Sequence, residues 1–364
     1  MTGGRKILAF PYDPNPYQEQ LYRPMRDRGV TVSYLRGLTP SSLLNWLMLP
    51  VMIIGYRYKG YTVFHLHWVF GFAPKLPVRG RWVGRVQRWY FAMCLGLIRV
   101  LGYRLVWTAH NVLPHTPLFD DDIASRRLLI RKADVVIVHS KAVLPKLRGF
   151  GLDDAKTVII PHGNYNGAYP MDMTCGQARK HLSLGASDFV LLFWGRIERY
   201  KNVPAFLRAA ASIARDVPRL RVVVAGACSD QTLKNEVMQA ARLLGKNVQL
   251  RIGYVDDEDV QLYYRAADLV ALPFAEITTS GSALLPLTFG VPTVIPRKGA
   301  LQDIPAEAVF FYDPAKKQAF DEALSQAVHS KELVRKRKAA LQYAASLDWD
   351  GIAGRTLRAM GLDA

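Results

Sequence analysis

Cysteine is scarce: Cys94, Cys175 and Cys228 are the three in 364 residues, and they lie far apart. That argues against a disulfide framework or a zinc site and makes a reducing compartment the default. The opening MTGGRKILAFPYDPN has no apolar core of a secretory signal. No run reaches the roughly 20 apolar residues of a membrane span. The longest candidate, LLNWLMLPVMII (Leu43–Ile54), is about a dozen residues and contains Pro50. Solenoid repeats and low-complexity tracts are absent as well. The largest absence is of acid. Between Arg28 and Phe119 there is no Asp or Glu, while the same stretch carries eleven Lys or Arg.

What is present is charge and apolar bulk. The net charge is +18 and half the residues are hydrophobic, with a mean hydropathy of +0.03 and a pI near 9.9. Such a chain can build two full cores. Its charge implies an anionic partner: nucleic acid, an anionic membrane or a phosphorylated substrate. The segment RWVGRVQRWYFAMCLGLIRVLGYR (Arg81–Arg104) mixes arginine, tryptophan and tyrosine with leucine. A helix lying in the membrane interface has that composition; a buried helix with a solvated basic face has it too. Arg81, Arg85 and Arg88 are spaced to share one helical face, and they are the expected contacts to an anionic membrane surface.

Strand and helix signals alternate throughout. KILAFPY (Lys6–Tyr12), VTVSYL (Val30–Leu35), TVFHLHW (Thr62–Trp68), RLVWTAHN (Arg104–Asn111), VVIVHS (Val135–Ser140) and TVIIPHG (Thr157–Gly163) read as strands. They are short and apolar on both faces, as parallel strands under helices are. Helical patterns lie between them, for example at Ile123–Lys132. GNYNGAYPMDMTCG (Gly163–Gly176) reads as a linker. The pattern then restarts with FVLLFWG, LRVVVAGA, VQLRIGYV, DLVALPF and VPTVIP, and a last helical segment runs from about Ala315 to the end. The expectation is an α/β fold of two Rossmann-like doubly wound domains, 1–165 and 176–345, facing a cleft. Residues 346–364 form a C-terminal helix that can cross back to the N-terminal domain.

Three constellations sit at predicted strand ends. Gly195, Arg196 and Lys201 follow FVLLFW. Glycine allows close backbone approach, and the two cations can hold a diphosphate; a surface Arg and Lys in an ordinary loop would look the same. Ser280, Gly281 and Ser282 open a helix whose amides suit phosphate oxygens, although a serine there is also an ordinary N-cap. IPHGNY (Ile160–Tyr165) places His162 at the end of the first half.

In this order the motifs resemble the GT-B glycosyltransferases, the family typified by bacterial group-1 enzymes. The narrower likeness is to the β-mannosyltransferases of xanthan-type exopolysaccharide assembly, which move mannose from GDP-mannose to a polyprenyl-diphosphate-linked oligosaccharide. NPYQEQLY (Asn15–Tyr22), HLHW (His65–Trp68), AHNVLPH (Ala109–His115), PHGNY, GRIERYK, TSGSALLPLTFG and LDW (Leu347–Trp349) carry it from end to end. The resemblance implies donor contacts at Gly195, Arg196, Lys201, His162, Glu276, Ser280, Gly281 and Ser282. It implies acceptor contacts at Asn15, Tyr17 and His67.

One departure carries mechanism. Retaining group-1 enzymes bear Glu-x(7)-Glu before the GVP segment. Here Ile277 and Leu285 hold those positions, and Glu276 stands one residue away. This favours an inverting transfer, which needs a general base on the acceptor hydroxyl. His110, His115 and the acids Asp120, Asp121 and Asp122 are the candidates, with Asp122 the expected carboxylate. His65 and His67 point to one face of their strand, as acceptor contacts or as a hydrogen-bonded core pair.

No strand-end DxD pair is present, so the expected reaction is metal-independent, with Arg and Lys in place of a metal. The expected partners are a nucleotide sugar, with UDP-sugars open beside GDP-mannose, and a lipid-linked oligosaccharide. The expected location is peripheral, on the cytoplasmic face of the inner membrane. A basic nucleic-acid-binding protein and a GT-B sugar-phosphate epimerase are the rival readings. No nucleic-acid module is recognisable, so nucleic acid is not an expected partner.

Overall fold

The computed structural model describes residues 5–74, 80–114, 116–274 and 281–362. They form two compact units: Met1–Gly163 with Trp349–Ala364, and Asn164–Asp348. Among the described residues each unit is built on one six-stranded parallel sheet.

In the first unit β1 (Lys6–Phe10), β2 (Thr31–Tyr34), β3 (Val63–Leu66), β4 (Arg104–Thr108), β5 (Val135–Val138) and β6 (Thr157–Ile159) take the order β2-β1-β3-β4-β5-β6. The connecting helices are α1 (Pro16–Asp27), α2 (Ser42–Tyr58), α3 (Arg81–Val100), α4 (Asp122–Lys132) and α5 (Leu144–Arg148). Period-two alternation divides the strands between two cores. Leu8 and Phe10 pack with Trp46, Ile53, Phe91 and Leu95 of α2 and α3. Ile7 and Ala9 pack on the other face with Tyr17, Leu21 and Met25 of α1.

The second unit holds α6 (Cys175–His181), β7 (Phe189–Trp194), α7 (Val203–Ile213), β8 (Leu220–Gly226), α8 (Gln231–Ala241), β9 (Val248–Ile252), α9 (Val260–Ala266) and β10 (Leu269–Ala271). It continues with α10 (Gly281–Thr288), β11 (Thr293–Pro296), β12 (Val309–Tyr312), α11 (Ala319–Val328) and α12 (Leu333–Ser346). The strand order is β12-β11-β10-β7-β8-β9. Sequence pattern alone does not find β12, whose four residues VFFY lie at the sheet edge without a long apolar run.

The last helix, α13 (Trp349–Met360), belongs to the first unit and packs on α1. Trp349, Ile352 and Leu357 enter the same core as Tyr17 and Leu21. Gly163 makes room for this: a Cβ there would fall 2.3 Å from the Trp349 ring.

The strands end earlier than their apolar patterns do. His67 and Trp68 lie beyond β3, His110 and Asn111 beyond β4, and His139 beyond β5. These side chains therefore occupy the carboxyl edge of the sheet, where ligands of doubly wound folds bind.

Candidate active site

In the second unit the carboxyl ends of β7 and β8 nearly touch. Gly195 and Gly226 both have positive φ (110° and 147°). A Cβ on Gly226 would fall 2.1 Å from the Gly195 carbonyl oxygen, so only glycine fits. Behind them stands Lys201, its side chain folded inward and 5% exposed. Its Nζ has no hydrogen-bond or ion-pair partner among the described residues. It lies about as far from the Tyr200 ring centroid (5.9 Å) as from that of Phe274 (6.0 Å). Burial pushes its ammonium down to about 8, which leaves it charged at neutral pH. The Glu198 carboxylate acts on it through space without pairing with it, and a buried charge is costly without a close partner.

Arg196 is 71% exposed and makes a 3.4 Å pair with Glu198. The N-terminus of α7 follows Asn202, which sits at a left-handed φ of 49° and makes no side-chain capping bond. β10 neighbours β7, and the loop after it carries Phe274 toward Tyr200 and Lys201. α10 opens beyond that loop with Gly281 and Ser282 as its first residues. Glu276 and Ser280 lie outside the described residues. A cavity of about 490 Å³ opens at this edge, lined by Asn202, Phe274, Lys298, Tyr312 and Asp321 among others.

The carboxyl edge of the first unit is a row of buried histidines joined by hydrogen bonds. The Tyr22 hydroxyl lies 2.6 Å from His65 Nδ1 and 2.7 Å from His67 Nε2. His67 Nδ1 reaches His110 Nε2 at 3.1 Å, and His110 Nδ1 reaches His139 Nε2 at 3.4 Å. The ends of the row are His65 Nε2 with Thr108 Oγ1 at 2.8 Å and His139 Nδ1 with the Ile160 carbonyl at 2.9 Å. A carbonyl only accepts, so His139 carries its proton on Nδ1. With every ring neutral, each bond then has one direction. His110 donates to His139, His67 to His110, Tyr22 to His67, His65 to Tyr22 and Thr108 to His65. Burial holds His67 and His110 well below the usual imidazole range, and His65 and His139 at about 3 and about 4.

This arrangement corrects two readings of the sequence. His110 accepts at Nε2 and donates at Nδ1, so neither ring nitrogen offers a lone pair to an acceptor hydroxyl. His67 and His65 are a core pair bridged by Tyr22, and His67 is 1% exposed. Tyr17 is buried with its ring against those of His67, His110, His139, His162 and Trp349. Asn15 caps α1 by accepting from Tyr17 N at 3.0 Å. His162 lies in the first unit, turned onto the Gly163 carbonyl, and burial holds it at about 3. His139 was missed by sequence pattern, although its signal is visible afterwards: VVIVHS ends in histidine as TVFHLHW does.

The acids at the start of α4 have separate tasks. Asp121 caps the helix at Ala124 N. Asp122 accepts from Leu118 N and Phe119 N, each at 3.2 Å and each on a different oxygen. Asp120 takes both Nε (2.7 Å) and an Nη (3.1 Å) of Arg88. Arg88 is therefore engaged and is not a free membrane contact. Arg85 stands 3.8 Å from the same carboxylate with its side chain mostly exposed. His115 and the Arg81 side chain lie outside the described residues.

Trp82, Val86 and Trp89 project into solvent beside Arg85. Their spacing puts all four on one stripe of α3. Leu43, Leu44, Leu47 and Val51 of α2 are exposed too. Among the described residues no helix is long and apolar enough to cross a membrane.

Comparison with known proteins agrees with the fold. Residues 177–345 match the family described as glycosyl transferases group 1, and residues 6–163 match glycosyltransferase family 4. The chain is 29% identical over 260 residues to a D-inositol 3-phosphate glycosyltransferase of Actinosynnema mirum, covering 66% of this chain and 57% of that one. It thus spans a little over half the length of that relative. Among solved structures, sucrose-phosphate synthase of Thermosynechococcus elongatus superposes with a TM-score of 0.75 at 19% identity, covering 97% of both chains. HepE of Anabaena, in complex with UDP, gives 0.71 at 16% identity over 98% of this chain and 99% of that one.

Proposed function

The chain has the GT-B glycosyltransferase fold, with a family 4 half followed by a group 1 half, and from this premise we propose that it transfers a hexose from a nucleoside-diphosphate sugar. The observation that supports the proposal is Lys201, a buried ammonium with no hydrogen bond or ion pair among the described residues, beside two glycines and the uncapped N-terminus of α7. That edge suits a diphosphate. Arg196 and Lys201 hold it as its charge grows in the transition state, with the α10 amides adding their dipole. No metal is required in this scheme, since the two cations take its electrostatic role.

The acceptor oxygen attacks the anomeric carbon, the bond to the diphosphate breaks, and the acceptor proton passes to a base in the first unit. Asp122 is the base in this proposal. Each of its oxygens accepts one amide and keeps a further lone pair, whereas His110 is fully engaged. Displacement at the anomeric carbon by a single attack inverts it.

The motif resemblance favours GDP-mannose as donor; the UDP held by HepE makes a UDP-sugar the second reading. The acceptor is a polyprenyl-diphosphate-linked oligosaccharide in exopolysaccharide assembly. The exposed tryptophans and leucines of α3 and α2 support this, because they suit an anionic membrane surface on the cytoplasmic face of the inner membrane. The test is a panel of nucleotide sugars read by thermal shift. The donor raises the melting temperature by mass action, and Arg196→Ala or Lys201→Ala removes the rise. A panel in which no nucleotide or nucleotide sugar shifts the transition overturns the proposal.

A further inference from the structure

β9 (Val248–Ile252) lies at the edge of the second sheet, and it is the longest of the edge strands in the two units. Just beyond it, Gly253 N donates to the Gly226 carbonyl of β8 at 3.2 Å. Backbone groups alternate in direction along a strand, so the N–H and C=O of Val248, Leu250 and Ile252 point away from β8. Among the described residues those N–H groups have no partner. Such a row is a template for another strand. The opposite edge of the same sheet is closed, because Lys336 Nζ donates to the Val309 carbonyl of β12 at 2.6 Å. No described side chain does this for β9.

The two ends of β9 differ in charge. The turn before it exposes Arg242 and Lys246, and the turn after it exposes Asp256, Asp257, Glu258 and Asp259. None of these side chains makes an ion pair among the described residues. Charge of one sign along an edge defends it against pairing. Here the signs are split between the ends, which has a directional consequence. A second β9 laid parallel sets basic turn on basic turn and acidic on acidic. One laid antiparallel sets each basic turn beside an acidic one. Apolar groups flank the strand as well: Leu243 before it is 64% exposed and Tyr254 after it 80%.

We infer that β9 is a self-pairing edge, through which two copies of this chain join antiparallel about a two-fold axis at Leu250. The axis sets Leu250 against Leu250 of the second copy, and Val248 against its Ile252. All of these residues turn their backbone groups outward, so each such pair exchanges both N–H···O bonds. The basic turn of each copy then meets the acidic turn of the other, twice, as an isologous interface requires. A strand from an unrelated protein finds the same backbone groups but not this order of charge, and the order is what selects a second copy. Five residues and their flanks make a small interface, so the dimer depends on concentration. The inference is independent of the transferase reading.

Sedimentation velocity on the full chain tests it, in dilute nonionic detergent that covers the exposed apolar side chains of α2 and α3. As concentration rises to about 100 µM, the 40.9 kDa species gives way to one of twice that mass, the range of a small interface. Two sets of exposed substitutions follow. Arg242→Glu with Lys246→Glu makes both ends of β9 acidic. Asp256→Lys, Asp257→Lys and Glu258→Lys together make both ends basic. Either set alone weakens self-association about tenfold or more, because like charges now face each other. An equimolar mixture of the two variants recovers the dimer, since every basic turn again meets an acidic one. Hydrogen exchange on the wild-type chain reads the strand pairing itself: the Leu250 and Ile252 amides slow about tenfold or more between dilute and concentrated protein. A chain that stays monomeric at about 100 µM overturns the inference, and so does a dimer that survives in both variants. Mixed variants that fail to associate overturn it too, as does a wild-type dimer in which the β9 amides exchange as fast as in the monomer.

Discussion

The Nζ of Lys201 lies 3.1 Å from the point where a Cβ on Gly195 would stand. The glycine's bare backbone and the lysine's buried charge are thus two sides of one small space. Gly195→Ala would press on the ammonium at a φ of 110°, a conformation L side chains rarely adopt.

Substitution at this space separates catalysis from stability. Arg196→Ala and Lys201→Ala are each expected to lower turnover about a hundredfold, since a lost donor to a developing diphosphate costs about 3 kcal/mol. Lys201→Met should leave the melting temperature unchanged or raise it, because it removes a buried unpaired charge. Turnover assays beside thermal melts check both; wild-type rates in both alanine variants would end the clamp assignment.

The stereochemical outcome follows from the missing glutamate pair and the single-displacement scheme. An α-linked nucleotide sugar should give a β-linked product. For a mannose product the one-bond carbon–proton coupling at the anomeric centre discriminates, because the proton–proton coupling is small in both anomers. An α-linked product would remove the inverting mechanism.

Acid should unfold the first unit through its histidines. Burial holds His65 and His162 at about 3 and His139 at about 4, against about 6.5 in an unfolded chain. Below pH 6.5 the unfolded chain takes up protons that the folded chain refuses. Stability is therefore complete above that pH and lost as pH falls toward 4. The loss is roughly 1.4 kcal/mol per pH unit for each histidine. Denaturant midpoints at pH 7 and pH 5 measure it, and His139→Gln should give a shallower slope. A flat profile would contradict a row of neutral rings.

Tyr22 is the bridge of that row. Tyr22→Phe removes the acceptor of His65 Nδ1 and the donor to His67 Nε2 together. Leaving buried polar groups unpaired costs about 1–3 kcal/mol each, so chemical denaturation should show a loss of several kcal/mol with little change in donor binding. A loss under 1 kcal/mol would mean the row rearranges without its tyrosine.

Membrane docking should depend on the exposed stripe of α3. Replacing Trp82 and Trp89 by Ser and Arg85 by Glu is expected to abolish co-sedimentation with phosphatidylglycerol vesicles. A basic residue at such a surface is worth about 1 kcal/mol, and aromatic side chains add apolar insertion. Arg88→Glu should act differently, by destabilising the fold, because Arg88 already holds Asp120. Continued sedimentation of the triple variant at moderate salt would assign this face another purpose.

The sequence by itself determined the layered architecture. Short strands apolar on both faces, repeated twice around a Gly- and Pro-rich linker, allow few arrangements other than two parallel sheets. That Gly195, Arg196 and Lys201 follow the end of β7 was legible because strand, glycine and cation succeed one another in the chain. It was also legible that the span from Arg28 to Phe119 lacks acid, but not which arginines stay free. Only the tertiary structure brought Asp120 to Arg88, across 32 residues. It alone closed both nitrogens of His110, using His67 and His139 from neighbouring strands. It alone laid the Arg126 guanidinium over the ring of Trp107, 4.7 Å to its centroid, while the Asp122 carboxylate turns back to its own loop amides. Periodicity and local spacing report which face is buried. Which buried polar groups find partners depends on atoms from distant strands, and that is decided only when the chain has folded.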